Sequence, residues 1–321
     1  MTGSTGVTWE NGRLVEWAIA FKQLSGSLDV GGLSEFRVLG VVSNRLTEIK
    51  GLDTLTKLEA IKALNNALTS LGDISGLTRL RYIDLASNKL TALSGLSGLT
   101  GLTYLRLGFN DFADIGDLSP LTALESLKVG HNRLTRLDGL ERLSSLRSLD
   151  VADNRLTRLD GLKKLKELSY LYIGGNQFDS YAFIKEANLN RLIWFSFSGF
   201  QFPRFSLAGR FANLDNLSIS GCADLQWVDV AGKPLNRLDL SDRLEPAQLK
   251  NAHKVQHFLL IKDVRYSLAD IAALRQKMSL KTQFSLFPQS AALGDAASGL
   301  KPGRAYTPAE LSPTLAAEYK D

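Results

Sequence analysis

Seven asparagines stand at one fixed interval along this chain: Asn44, Asn66, Asn88, Asn110, Asn132, Asn154 and Asn176, each 22 residues after the last. Ahead of each come apolar residues in one spacing, as in Leu80, Ile83 and Leu85 before Asn88 or Leu146, Leu149 and Val151 before Asn154. Another apolar series follows, as in Leu90, Leu93, Leu96 and Leu99. Self-similarity at this period constrains the fold more than any local propensity. The pair flanking one residue, as in Ile83-Asp84-Leu85, alternates with the period of a short strand. One such unit cannot offset its own ordering entropy, so units must stack and share a core. The asparagine amide, with two donor hydrogens and an acceptor oxygen, is suited to backbone groups of its own loop and the next coil. Leucine would fill the same volume and leave those groups unpaired.

Taken in order, residues 1–32 read as an N-terminal cap and first coil, in which Leu14, Trp17 and Ile19 match the pattern and Lys22 stands in the asparagine slot. Trp9 is expected to cover the open end of the core. Residues 33–184 hold the regular repeats, and 185–266 hold degenerate ones with Phe200 and then Cys222 in the slot. Phe195, Phe197, Phe202, Phe205 and Phe211 read as core filling around that change. Linking segments such as Lys50-Gly51-Leu52 and Asp138-Gly139-Leu140 predict 3₁₀ or short helical pieces on the outer side, because the period leaves no room for a full helix. Residues 267–287 read as a C-terminal cap, a helix begun at Ser267 and a strand near Phe284–Leu286, and 288–321 as an Ala/Gly/Pro/Ser-rich tail.

This register resembles the 22-residue class of leucine-rich repeats, which includes the phosphatase-1 regulatory subunit of eukaryotes and the bacterial internalins. The match runs over about residues 14–262 and is strongest over 33–184; Leu118-Ser119-Pro120-Leu121 through Asn132 is especially similar to an internalin repeat. The resemblance implies an α/β solenoid: a right-handed superhelix with a parallel concave β-sheet and short 3₁₀, helical or extended convex segments. It also implies recognition of proteins or peptides by the concave sheet.

Positions six and four before each slot residue alternate away from the core. They gather Tyr82 with Tyr104, and Tyr170, Tyr172 and Trp194, with Asp84, Arg106, Lys128 and Asp150 between them. Exposed aromatics beside charge are the composition of interaction hot spots; these nine residues are the expected partner-binding set. Gly40, Gly108, Gly130, Gly174 and Ser196 recur nearby and are expected to leave room for a partner's side chains. Phe109, His131 and Asp153 line the loop edge. His131 and Asp153 occupy equivalent positions in adjacent coils and should form a surface ion pair. No nucleophile completes a catalytic triad, and no phosphate loop, dinucleotide fingerprint or paired-cysteine motif is present, so the reading is non-enzymatic, without cofactor or metal.

A net charge of +5, spread along the chain, favours an acidic partner and does not point to nucleic acid. The single cysteine, Cys222, sits in the slot as a small buried group and allows no intrachain disulfide. No segment has the length and apolarity of a membrane span, and no signal-like apolar core opens the chain. The expectation is a monomeric cytoplasmic recognition module. The alternatives are an exported bacterial effector or adhesin, and a scaffold docking through Arg133, Arg136, Arg155 and Arg158.

Overall fold

The first apolar residue of each apolar-polar-apolar triplet is the centre of a three-residue strand and is sealed from solvent: Ile61, Ile83, Leu105, Leu127 and Leu149 are wholly buried. The structure, a computed structural model, describes residues 6–178, 184, 189–199, 204–209, 211–222, 225–240, 249–261, 277 and 283–287. The helix expected from Ser267, the slot residue Phe200, Phe202 and the tail lie outside the described residues. The chain divides into two compact units. One comprises Met1–Leu168, Asn176–Phe178 and Ala182–Asn188, and the other Ser169–Gly175, Asp179–Tyr181 and Leu189–Asp321.

In the first unit, Arg13–Ala18, Val38–Gly40, Ala60–Lys62, Tyr82–Asp84, Tyr104–Arg106, Ser126–Lys128 and Ser148–Asp150 follow one another as parallel neighbours. The register is the sequence period itself, Ile83 beside Leu105 and Leu105 beside Leu127. Behind them the chain returns through 3₁₀ turns at Leu52–Thr54, Leu96–Gly98, Leu140–Arg142 and Leu162–Lys164. Gly95 shows why glycine opens such a turn. Its φ is 91°, and a Cβ would lie 2.6 Å from Asp73 Oδ1 and 2.9 Å from Ser75 Cα of the preceding coil.

The N-terminus differs from its expectation. Gly6–Glu10 pairs antiparallel with Arg13–Ala18 around Asn11-Gly12, whose φ angles are 52° and 72°. Two positive φ values in a two-residue loop are the mark of a type I′ hairpin, and Asn-Gly is its strongest sequence signal. Trp9 therefore sits on an edge strand with 62% of its surface exposed, rather than over the end of the core.

The second unit repeats the parallel arrangement through Tyr170–Tyr172, Trp194–Ser198, Asn216–Ser220, Arg237–Leu240, His257–Ile261 and Gln283–Phe287. The last of these is the strand expected near Phe284–Leu286. A second parallel sheet of Arg204–Ser206, Trp227–Asp229 and Leu249–Lys250 forms the return side. These strands fall in repeats of 22, 21 and 20 residues, counted between Trp194, Asn216, Arg237 and His257, so the return chain is straightened rather than lengthened. The first unit has one extended pair of its own, Ser25–Asp29 beside Arg45–Lys50. Phe195, Phe197, Phe205 and Phe211 are buried together, with Phe195–Phe197 ring centroids 5.2 Å apart and Phe197–Phe205 4.7 Å. The phenylalanine cluster is core.

Candidate partner-binding face

The ladder holds the coils that present the face. Asn110 Nδ2 donates to Leu107 O at 3.0 Å and Gly108 O at 3.3 Å in its own coil, and to Leu85 O at 3.0 Å in the coil before. Its Oδ1 accepts from Leu90 N at 2.9 Å, again in the coil before. Asn66, Asn88, Asn132 and Asn154 follow the same scheme, and Asn176 likewise joins Val151 O and Leu156 N. The amide thus reaches backwards, not to the next coil. That direction explains Lys22: the strand before the first coil is the antiparallel Gly6–Glu10 of the hairpin, and the turn at Lys22 is served from Asn44, whose Oδ1 accepts from Lys22 N and Leu24 N. Cys222 is buried, with Sγ 3.3 Å from Ser220 O.

The residue before each slot carries a feature the sequence reading missed. Ser43, Asn65, Ser87, Phe109, His131 and Asp153 all have φ between 52° and 57°, the left-handed region. The column contains Asn65 and Asp153, types that tolerate this conformation, and that enrichment was its sequence signal. Phe109 adopts it with a bulky side chain that remains 54% exposed. Its ring stacks on His131 at 3.9 Å and 18°, and His131 Nδ1 lies 3.3 Å from Asp153 Oδ2. The expected contact forms, within an edge ridge of three coils, and is an ion pair when the imidazole is protonated.

On the sheet face of the first unit, Tyr82 and Tyr104 stack with centroids 4.5 Å apart and planes 3° from parallel. Lys62 Nζ stands 5.8 Å from the Tyr82 centroid. Burial first, then Asp84 and Tyr104, push the Tyr82 phenol up to about 12. Asp84 and Asp150 sit lower than the strand alternation suggests. Asp84 is 6% exposed; its Oδ1 accepts from Ala86 N at 3.1 Å and its Oδ2 meets Arg106 at 3.4 Å. Asp150 Oδ1 accepts from Ala152 N at 3.1 Å. Burial raises its carboxyl above the usual range, against the lowering effect of that backbone bond and of Lys128.

The glycines of this face do not leave room for a partner. A Cβ on Gly130 would lie 3.0 Å from Asp150 Oδ1 and 3.1 Å from Ala152 O, and one on Gly108 3.1 Å from Gly130 O. In the second unit, a Cβ on Gly174 would lie 2.8 Å from Ser198 N. Neighbouring coils occupy the space, so small residues are needed for stacking.

The second unit's face brings together the other expected group. Tyr170 pairs with Trp194 across adjacent strands and is 41% exposed. The Tyr172 and Trp194 rings lie 6.4 Å apart at 30°. The buried Trp194 Nε1 has no acceptor among the described residues. Of the outer arginines, Arg133 pairs with Asp111, Arg136 with Asp114 at 3.0 Å and Asp138 at 3.1 Å, and Arg158 with Asp160 at 2.9 Å. Among the described residues no group of three or more His, Cys, Asp or Glu could hold a metal ion, and no helix is long and apolar enough to cross a membrane.

The leucine-rich-repeat family model matches residues 56–112 and 122–178. These are leucine-rich repeats, and the chain folds as their solenoid. No curated protein sequence matches it significantly. Among solved structures, the chain is similar to internalin C2 from Listeria monocytogenes, with 24% identity, TM-score 0.51 and coverage of 64% of this chain and 80% of that one. It is similar also to YopM, a leucine-rich effector protein from Yersinia pestis, with 22% identity, TM-score 0.56 and coverage of 76% and 65%. A third likeness is to the plant peptide hormone receptor RGFR1, solved in complex with RGF2, with 20% identity, TM-score 0.57 and coverage of 86% and 45%.

Proposed function

We propose that this chain is a non-enzymatic recognition module that holds a protein or peptide on the outward face of its leucine-rich-repeat sheet. The observation that carries this reading is the Tyr170, Tyr172 and Trp194 group: three aromatic rings on adjacent strands, Tyr170 exposed and Tyr172 and Trp194 half-buried beside it. Aromatic anchors on a preformed scaffold lose little entropy on binding and dominate interface energies. Strands about 4.8 Å apart make each unit's face long enough to seat an extended segment. The peptide hormone receptor named above, bound to its ligand, is the precedent in kind. The paired outer arginines speak against docking through that side, because exposed ion pairs already neutralise them.

The test is affinity capture from a native lysate by the wild-type chain, identification of the captured protein, and repetition with Tyr172→Ala and Trp194→Ala. Loss of capture with an unchanged melting temperature supports the reading. Undiminished capture by both variants, with loss on charge reversal at Arg133 and Arg155, would move the site to the outer side.

A further inference from the structure

We propose that the sheet face of the first unit takes an acidic peptide segment, laid across the strands from Lys62 past Arg106 to Lys128. This rests on reading the sheet face as a recognition surface and adds the chemistry of the partner.

The third residues of successive strands are Lys62, Asp84, Arg106, Lys128 and Asp150. By formal charge the row is nearly balanced, but its acids and bases are held at different depths. Asp84 is sealed, its oxygens engaged by Ala86 N and Arg106. Asp150 folds down onto Ala152 N, over the bare backbone of Gly130. Each short carboxylate therefore caps the turn that ends its own strand. The bases have long stems. Lys62 is exposed and reaches over the Tyr82 ring, and Arg106 and Lys128 remain partly exposed. Long stems lift charge into water while short ones keep it at the backbone, so the potential that meets an incoming chain is positive.

The surroundings do not cancel this. Between the cations the face offers Tyr82, Tyr104 and Ser126. On one flank Glu59 and Glu125 stand in one column with Arg37, Arg81 and Arg147, Glu125 4.0 Å from Arg147, and on the other Asp153 Oδ2 lies 3.3 Å from His131 Nδ1. The outer arginines are different in kind: Arg133, Arg136 and Arg158 have aspartate partners exposed to a similar degree, so charge cancels where a ligand would meet it.

Lys62 and Lys128 stand three strands apart, about 14 Å. Four or five residues of extended chain cover that span at about 3.3 Å each, enough to set carboxylates against the cations and an apolar side chain on the tyrosines. A peptide fits better than a single nucleic-acid strand. Base stacking needs open ring faces, and Tyr82 and Tyr104 already cover each other's inner faces.

The test uses random peptides displayed on phage and selected on the full chain, with binding of the selected synthetic peptides followed by fluorescence anisotropy. The expected result is enrichment in Asp and Glu, affinity that falls as salt rises, and a loss of about tenfold or more in the Lys62→Glu/Lys128→Glu double variant. Peptides with Lys in place of their acids should regain binding to that variant, which shows that it is folded. Peptides that depend on Tyr82 and Tyr104 but lack acidic enrichment and salt dependence would overturn the acidic-partner inference and leave the recognition reading standing. Peptides insensitive to every substitution on the sheet faces would overturn both. A single-stranded DNA oligonucleotide that displaces the peptides at lower concentration than they bind would overturn the inference in favour of nucleic acid.

Discussion

Replacing Asn110 tests the hydrogen-bond account of the ladder. In Asn110→Leu the volume is nearly kept and the amide is lost. Leu107 O retains the Asn132 amide at 3.0 Å, Leu85 O retains the Asn88 amide at 3.0 Å, and Gly108 O retains Ser87 N at 2.9 Å. Leu90 N has no such substitute, for its acceptor is Asn110 Oδ1 and Leu90 is fully buried. One orphaned N–H costs about 1–3 kcal/mol, and two lost amide N–H bonds about 0.5–1.5 kcal/mol each. The expected destabilisation is therefore about 2–6 kcal/mol. Urea unfolding gives the midpoint, and hydrogen exchange at Leu90 N locates the damage, which matters because repeat arrays unfold in parts. Lys22→Asn is the control: with the hairpin strand Gly6–Glu10 rather than a matching turn before it, the new amide should add less than about 0.5 kcal/mol. If Asn110→Leu lies within about 0.5 kcal/mol of wild type, packing rather than hydrogen bonding explains the ladder, and the account is refuted.

Other outcomes follow from the same geometry. Gly95→Ala combines a left-handed backbone with contact against Asp73 and Ser75, and should lose about 1–3 kcal/mol in thermal unfolding; a neutral result would mean that the turn can open. Asp150→Asn keeps an acceptor for Ala152 N and removes a charge that burial disfavours. Because the folded-state pKa is raised, the charge is a cost above that pKa and disappears below it. The variant should thus match or exceed wild type at neutral pH and lose the advantage in acid, as pH-dependent melting would show. Arg133→Ala should change stability by less than about 1 kcal/mol, since its partner Asp111 is exposed too; a larger loss would show that the outer pairs act as a network.

Much of this was legible in the residues because a stacked repeat forces equivalent positions into equivalent environments. The period alone gave Ile83 beside Leu105 and Tyr82 beside Tyr104, since the register of the parallel sheet equals the repeat. The hairpin at Asn11-Gly12 was legible too, in its Asn-Gly turn signal; the register of the first coil holds beside it, with Trp17 paired to Leu39 one period on.

Other features depended on three-dimensional placement. Asn110 could serve the coil before or the coil after, and the direction follows from how the turn tilts once coils are stacked. Asp84 and Lys62 occupy the same column, yet one is buried and the other exposed, because a one-carbon stem stays within reach of the backbone N–H two residues on and a four-carbon stem does not. Gly130 reads as open space until the next coil places Asp150 and Ala152 against it. By itself the sequence determined the repeat, the strand register and which residues share a face. Only the tertiary structure decided the depth of each charge on that face, since depth depends on how the turn after each strand and the neighbouring coil together enclose the side chain.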